Sequence, residues 1–301
     1  MAISARGAFP YQLDKTVKEM FGDGLTSVLA EANMIFKDVT PDGGSYNSYA
    51  EISGLEQTRE LGESEGPDYV VPTEGNKKLR YFTKYGLGTQ ATMEALDDEL
   101  FGKIAESAKY LGQSAAVQFE RSAFDILNSG NDTHQTADGQ YIFSASHAAL
   151  QSGTAISNLA TAGLSETSLQ AAYEYYDNMI TSTGFPNPQL MKEIWIAPAN
   201  RWTAQKLKMS TGVLSSANND ILTTNPAYGE MDWNYKVGHY LTDDDNWFAL
   251  SDDPGLTVSW KRRPELSEQG DWETESKMYK VLLRFAVYCN KFQGIYGSFV
   301  A

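Results

Sequence analysis

The sequence predicts an α+β fold in which an extended hairpin feeds one long helix, a mixed domain follows, and two long strands close the chain. Three observations carry that prediction. From Met93 onward, small or apolar residues recur at Leu96, Leu100, Ile104, Ala108, Leu111, Ala115, Phe119, Ala123 and Ile126, the period of a straight amphipathic helix. Near the C-terminus Tyr279, Val281, Leu283, Phe285, Val287 and Cys289 alternate with Lys280, Leu282, Arg284, Ala286, Tyr288 and Asn290, the period of a half-buried strand. Between them, residues 165–254 alternate helical and extended patterns, as a mixed domain around a small sheet does.

Residues 1–44 read as an N-terminal arm with a helix around Thr16–Phe36, interrupted at Gly22-Asp23-Gly24 and closed by the turn Pro41-Asp42-Gly43-Gly44. Residues 45–91 read as an extended hairpin. Ser45–Ser53 and Leu79–Leu87 supply β-prone flanks, and the tip, punctuated by Gly54, Gly62, Gly66, Pro67, Pro72 and Gly75, has too few apolar residues to pack on itself. The helix then runs from Thr92 to Asn128, a rod of about 55 Å, where an average helix has about 11–12 residues. Its first turns hold Glu94, Asp97, Asp98 and Glu99, as the helix dipole favours. Gly102 and Gly112 each weaken it by about 1 kcal/mol and permit either bending or close backbone approach. Asn128-Ser129-Gly130 is its stop. A long helix behind a hairpin that cannot bury itself describes a subunit completed by its neighbours.

Residues 129–164 are loop-rich, with a short strand expected at Gln140–Ser144. Ser165 is the expected N-cap of a helix running through Leu169, Ala172, Tyr173, Tyr176 and Ile180 to Gly184. A strand at Glu193–Ala197, a helix at Ala199–Met209 and strands near Tyr235–Leu241 and Trp247–Ser251 follow. Gly212–Tyr228 is polar and turn-rich. Leu256, Val258 and Trp260 are the expected antiparallel partners of the C-terminal strand, through a polar connection containing Pro264 and Gly270, and both strands are expected beside the long helix.

With 42% hydrophobic residues among 301, the chain can build a core. No apolar run approaches a membrane span or secretion signal, which predicts a cytosolic protein. Cys289 is the sole cysteine, so no disulfide or cysteine zinc site forms, and a small core residue is its expected role. The net charge of −15 excludes a dedicated nucleic-acid binder, though not a container. The charge is uneven: residues 51–74 hold Glu51, Glu56, Glu60, Glu63, Glu65, Asp68 and Glu74 against Arg59, and residues 77–84 hold Lys77, Lys78, Arg80 and Lys84. Such a two-signed arm is either a solvated loop or a contact with an adjacent copy. On the second reading Glu60, Glu63, Glu65, Lys77, Lys78 and Arg80 are the candidate interface residues.

No phosphate-binding, dinucleotide, nucleophile-elbow or zinc-protease motif is present. Ser144 and His147 are close in sequence, but a hydrolase would also need a carboxylate and an oxyanion hole. Asp243, Asp244 and Asp245 lack the spacing of a calcium loop and read as a turn. The tryptophans Trp195, Trp202, Trp233, Trp247, Trp260 and Trp272 read as core or interface packing residues. No catalytic, cofactor or metal site is expected.

Several segments give a family resemblance: Phe143-Ser144-Ala145-Ser146-His147, Ser157-Asn158-Leu159-Ala160, Trp202-Thr203-Ala204-Gln205-Lys206, Ala217-Asn218-Asn219-Asp220-Ile221, Tyr240-Leu241-Thr242-Asp243 and Trp260-Lys261-Arg262-Arg263-Pro264-Glu265. In this order the chain resembles tailed-phage major capsid proteins of the Hong Kong 97 fold, most of all the Mu-like prophage major head subunits. The resemblance implies an N-arm (1–44), an E-loop (45–91), a peripheral domain (92–164 and 255–301, with spine helix 92–128) and an axial domain (165–254). It implies a homo-oligomer of hexamers and pentamers forming an icosahedral shell around double-stranded DNA, assembled in a bacterial host's cytoplasm and resident in the virion, with no membrane partner. The short arm leaves no room for a fused scaffold, so scaffolding protein and portal, and any decoration proteins, are expected to be separate. Some relatives cross-link Lys to Asn; here Lys77 and Lys78 are the candidate donors, with ordinary charge contacts as the simpler reading. Two alternatives stand beside this: an encapsulin-like nanocompartment, and a hydrolase using His147 or His239.

Overall fold

The computed structural model describes residues 9–55, 57–63, 65–72, 74–92, 94, 101–149, 153–181, 183–210, 212–214, 222–224, 233–271 and 276–300. In chain order the elements are α1 (Phe9–Thr26), α2 (Ala32–Ile35), β1 (Lys37–Asp38), β2 (Tyr46–Ile52), β3 (Glu74–Tyr81), β4 (Thr83–Thr92), α3 (Phe101–Asn128), β5 (His147–Ala148), β6 (Ala155–Ile156), β7 (Leu159–Ala160) and α4 (Glu166–Asp177). Then come β8 (Met191–Ile196), a 3-10 turn (Pro198–Asn200), α5 (Arg201–Met209), β9 (Gly212–Leu214), β10 (Leu222–Thr224), β11 (Asn234–Val237), β12 (Trp247–Ser251), β13 (Leu256–Asp271), β14 (Ser276–Cys289) and β15 (Ile295–Ser298). The chain divides into two compact units. One gathers the described residues of Met1–Asn47, Arg80–Ala123 and Val258–Val287; the other gathers those of Ser48–Leu79, Phe124–Thr257 and Tyr288–Ala301.

In the first unit, β1, β13, β14 and β4 form a sheet in that order. Strand β14 runs antiparallel to β4, from Ser276 opposite Thr92 to Phe285 opposite Thr83. Its alternation buries Tyr279, Val281, Leu283 and Phe285, and these meet the apolar stripe of α3. Phe119 packs tilted against Trp260 at 4.7 Å and edge-on to Phe285 at 5.5 Å, and Tyr85 stacks on Phe285 at 5.2 Å. Ile104, Ala108, Leu111, Ala115 and Phe119 are all buried, as the period predicted. The described helix has 28 residues, about 42 Å long; Leu96 and Leu100 of the expected rod lie outside the described residues.

Two expectations change here. Helix α1 does not break at Gly22-Asp23-Gly24 but runs through them to Thr26. The reason lies on α3: a Cβ on Gly24 would stand 2.2 Å from the Lys109 carbonyl, and one on Gly112 would stand 2.4 Å from the Phe21 carbonyl. The glycines are there for a close helix crossing, and α1 ends only where Thr26 and Ser27 turn their hydroxyls back to the Gly22, Asp23 and Gly24 carbonyls. The stretch holding Pro264 and Gly270, expected as a connection, is instead part of the 16-residue β13. Its outer neighbour β1 has only two residues, so most of that side is sheet edge, where proline is tolerated.

The second unit centres on a five-stranded sheet in the order β11-β8-β12-β15-β7. β8 and β12 are antiparallel, with Ile196 opposite Trp247 and Ile194 opposite Ala249; β11 is parallel to β8, and β7 to β15. All five residues of β12 are buried, because both faces are covered. Leu169, Ala172 and Tyr176 of α4 and Ala204 of α5 join Ile194, Ile196 and Trp247 in one core. On the other face Phe124 packs 5.9 Å from Trp195, and Phe143 5.3 Å from Phe248. Ser165 caps α4 reciprocally with Ser168. The helix stops at Asp177, short of Gly184, because Ile180 bridges Pro186 and the Thr181 hydroxyl accepts the Phe185 N–H at 3.0 Å. Gln140–Ser144 forms no strand; the N–H groups of the buried Ile142 and Phe143 go to the His134 and Gly130 carbonyls instead of a strand ladder. Cys289 is fully buried and its thiol donates to the Lys291 carbonyl at 2.9 Å, a small core residue as expected.

Candidate assembly surfaces

β2 and β3 pair as a two-stranded hairpin, and the described residues between them have no regular structure. A tip rich in glycine, proline and acids cannot bury enough surface to fold on itself, so its order comes from charge. Arg59 pairs with Glu65 at 2.8 Å and with Asp68 at 2.5 Å. Glu65 also accepts the Gly62 N–H at 3.0 Å; that backbone bond first, and Arg59 second, hold its carboxyl below the ordinary range. Lys77 pairs with Glu74, and Lys78 donates to the Gln135 side-chain carbonyl at 2.9 Å. Of the six candidate interface residues, Glu65, Lys77, Lys78 and Arg80 therefore have partners in their own chain. Arg80 is half-buried near the end of β3, and Glu60 and Glu63 are exposed, with no cationic partner among the described residues. The tip also exposes apolar groups that the charge pattern hid: Tyr69 at 92%, Val71 at 79% and Ile52 at 68%.

His147, the alternative's catalytic candidate, is a packing residue. It is fully buried, its ring stacks on Phe292 at 4.1 Å, and its nitrogens face the Asp138 carboxylate at 2.6 Å and the Ile142 carbonyl at 3.3 Å. Burial alone would raise the Asp138 carboxyl, but hydrogen bonds from His147, the Thr136 hydroxyl and the Gln140 N–H hold it below its ordinary range. The Ser144 hydroxyl meets Ser146 at 3.1 Å instead of the imidazole. The hydrolase reading thus lacks a nucleophile–base contact and a route for substrate. Buried Asn158 binds the same loop, accepting the Ser144 N–H at 2.8 Å and donating to the Ile142 carbonyl at 2.7 Å. The segments Phe143–His147 and Ser157–Ala160 therefore meet at one structural knot. Asp243 accepts the Asp245 N–H at 2.9 Å, a turn as expected, and the described residues contain no group of three or more acidic, His or Cys side chains placed to hold a metal.

Two features were left open or missed by the sequence reading. Trp202, read as core or interface packing, is 69% exposed on α5. Glu120 on α3 is buried, with its carboxylate on the backbone of α2 at 2.8 Å. The first had a signal: Trp202 and Met209 are seven residues apart on a short basic helix. The second had none.

A hairpin, a long helix lined by a four-stranded sheet, and a second unit around a five-stranded sheet make up a Hong Kong 97-type capsid fold. Solved shells share it at low identity. The procapsid of bacteriophage JBD30 matches 98% of this chain and 76% of its own, with TM-score 0.54 and 12% identity. The capsid of cyanophage P-SCSP1u matches 88% and 86%, with TM-score 0.58 and 8% identity. A virus-like particle from Pyrococcus furiosus matches 94% and 98%, with TM-score 0.54 and 11% identity. No curated protein matches the sequence. The chain belongs to the phage capsid protein family, which matches residues 77–298. It is a structural shell protein, not an enzyme.

Proposed function

We propose that the chain is the major head subunit of a tailed phage or Mu-like prophage, whose copies form the hexamers and pentamers of an icosahedral shell around double-stranded DNA. Membership of the phage capsid family over residues 77–298 carries this reading. The exposed tip adds to it: a monomer gains nothing from showing Tyr69 and Val71 to water, whereas a shell subunit can bury them on a neighbour. In this reading 1–44 is the N-arm, 45–91 the E-loop, 92–164 with 255–301 the peripheral domain, and 165–254 the axial domain. Scaffolding protein and portal are separate chains, the shell forms in the host cytoplasm, and the acidic surface encloses DNA without gripping it. The test is sedimentation and negative-stain microscopy of the protein with and without its genomic neighbours. Closed shells are expected from the intact chain. Deleting Leu55–Pro72 should keep the circular dichroism and abolish large particles, because the tip adds nothing to either core. Only dispersed subunits from the intact chain under all these conditions, or shells packed with an enzyme cargo, would count against the reading.

A further inference from the structure

In the second unit a cavity of about 520 Å³ opens at the base of the hairpin, the size of a small-molecule site. Side chains alternate along β2, so Tyr49 and Glu51 turn inward together. Ile52, with Ile180 and Leu190 from the turns after α4, adds apolar wall, and the segments Ser251–Asp253 and Lys291–Gly294 supply further lining. Two polar groups in it lack what burial demands. Ser251 is 6% exposed, and its hydroxyl has no hydrogen-bond partner among the described residues; such a group requires an explanation. Glu51 is half-buried, its carboxylate meets only the Asn76 amide, 3.4 Å away, and it has no ion pair among the described residues. The nearby lysines are already committed, Lys291 to Asp253 at 3.3 Å and Lys192 to Asp252 at 2.6 Å. Burial raises the Glu51 carboxyl; the Tyr49 hydroxyl is raised by burial first and then by Glu51 and Asp253, so these groups share one acidic field.

That field calls for a cation, and the walls decide which kind. A metal ion fits poorly, because the described residues contain no group of three or more acidic, His or Cys side chains placed to hold one. An ammonium on an aliphatic stem uses every part of the lining: its N–H donors suit the carboxylate and the hydroxyls, and its methylenes suit Ile52, Ile180 and Leu190. A second ammonium at the far end of that stem suits Asp252 and Asp253, whose side chains are 59% and 69% exposed. We propose that the cavity binds a linear aliphatic diamine, with one ammonium on the Glu51 carboxylate and the Ser251 hydroxyl and the other at Asp252 and Asp253. The ligand supplies the charge that Glu51 lacks and the donor that the Ser251 oxygen lacks. This site goes beyond the reading of the chain as a shell subunit and does not depend on it, since every contact lies within one copy.

Calorimetric titration of the full-length chain with cadaverine is the test. Wild type should bind it, should bind pentylamine, with one ammonium, more weakly, and should bind pentanol, with none, more weakly still. Glu51→Gln should weaken cadaverine about tenfold or more, the scale of one charged hydrogen bond. Glu63→Gln, which removes the same charge from the exposed tip, should leave the affinity unchanged. Ser251→Ala should weaken binding about threefold while stabilising the unliganded chain, because it deletes an unpartnered buried hydroxyl; a merely structural serine would not alter affinity. Methyl NMR of wild type gives a readout that needs no variant: the Ile180 and Leu190 methyl signals should shift and saturate at the calorimetric midpoint. No binding by wild type, equal affinity for pentylamine or pentanol, equal losses in Glu51→Gln and Glu63→Gln, or saturating shifts confined to other methyls overturns the proposal. Subunits that bind cadaverine but form no shells defeat only the assembly reading, and shells from a chain that does not bind it defeat only this inference.

Discussion

Glu120 makes the attachment of the N-terminal segment depend on pH. It is 2% exposed, and its Oε2 accepts the Ala32 N–H at 2.8 Å; the Glu31 N–H is a second donor. The long helix thereby caps α2, which has no side-chain cap of its own. Burial is the largest influence on the carboxyl. The Ala32 N–H opposes it and the nearby Glu31 carboxylate adds to it, so the group moves from 4.5 up to about 7. A rise of that size corresponds to about 3 kcal/mol at about 1.36 kcal/mol per unit. The folded chain holds a proton that the unfolded chain releases between those values. Stability from this site is therefore full below about pH 4.5, falls as pH rises towards about 7, and is flat above. Glu120→Gln cannot titrate. It keeps one acceptor for Ala32 but presents an amide donor to the other N–H, a pH-independent loss of about 1–3 kcal/mol. Urea unfolding of the isolated subunit at several pH values between 5 and 8 provides the assay. The stability advantage of wild type over Glu120→Gln should shrink by about 2.5 kcal/mol across that range. An advantage that stays constant, or grows, refutes the assignment of the raised carboxyl to Glu120.

Two further outcomes follow from packing. Gly24→Ala places a Cβ 2.2 Å from a backbone carbonyl that cannot yield and should cost about 3 kcal/mol, whereas Gly22→Ala, with nothing within 4 Å, should stabilise by about 0.5–1 kcal/mol; melting temperatures in the opposite order would remove the helix-crossing account. His147→Gln should destabilise by about 1–3 kcal/mol, because it breaks a buried hydrogen bond to Asp138 and a ring stack, while exposed His239→Gln should lie within about 0.5 kcal/mol of wild type; equal unfolding midpoints for the two variants would contradict the structural role of His147.

The sequence by itself determined what repeats along the chain. The α3 stripe from Ile104 to Phe119, the alternation of β14, the Ser165 cap and the turn at Asp243–Asp245 each depend on residues a few positions apart, so their geometry is written locally. The acidic tip was equally legible, since charge needs no fold to be counted. What only the tertiary structure decided are approaches between residues far apart in sequence. Gly24 read as a helix breaker because glycine weakens an isolated helix; against Lys109 it is the residue that lets two backbones meet. His147 read as a loop residue until Asp138 and Phe292 enclosed it. Trp202 read as core or interface packing, and only the fold chose between them, because α5 turns Ala204 and Leu207 inward and leaves Trp202 exposed. Glu120 carried no signal at all: a glutamate on a helix is ordinarily solvated, and its burial depends on a backbone N–H 88 positions away. Burial and desolvation are properties of the assembled surroundings, so a charge's meaning is fixed only once the fold has chosen its neighbours.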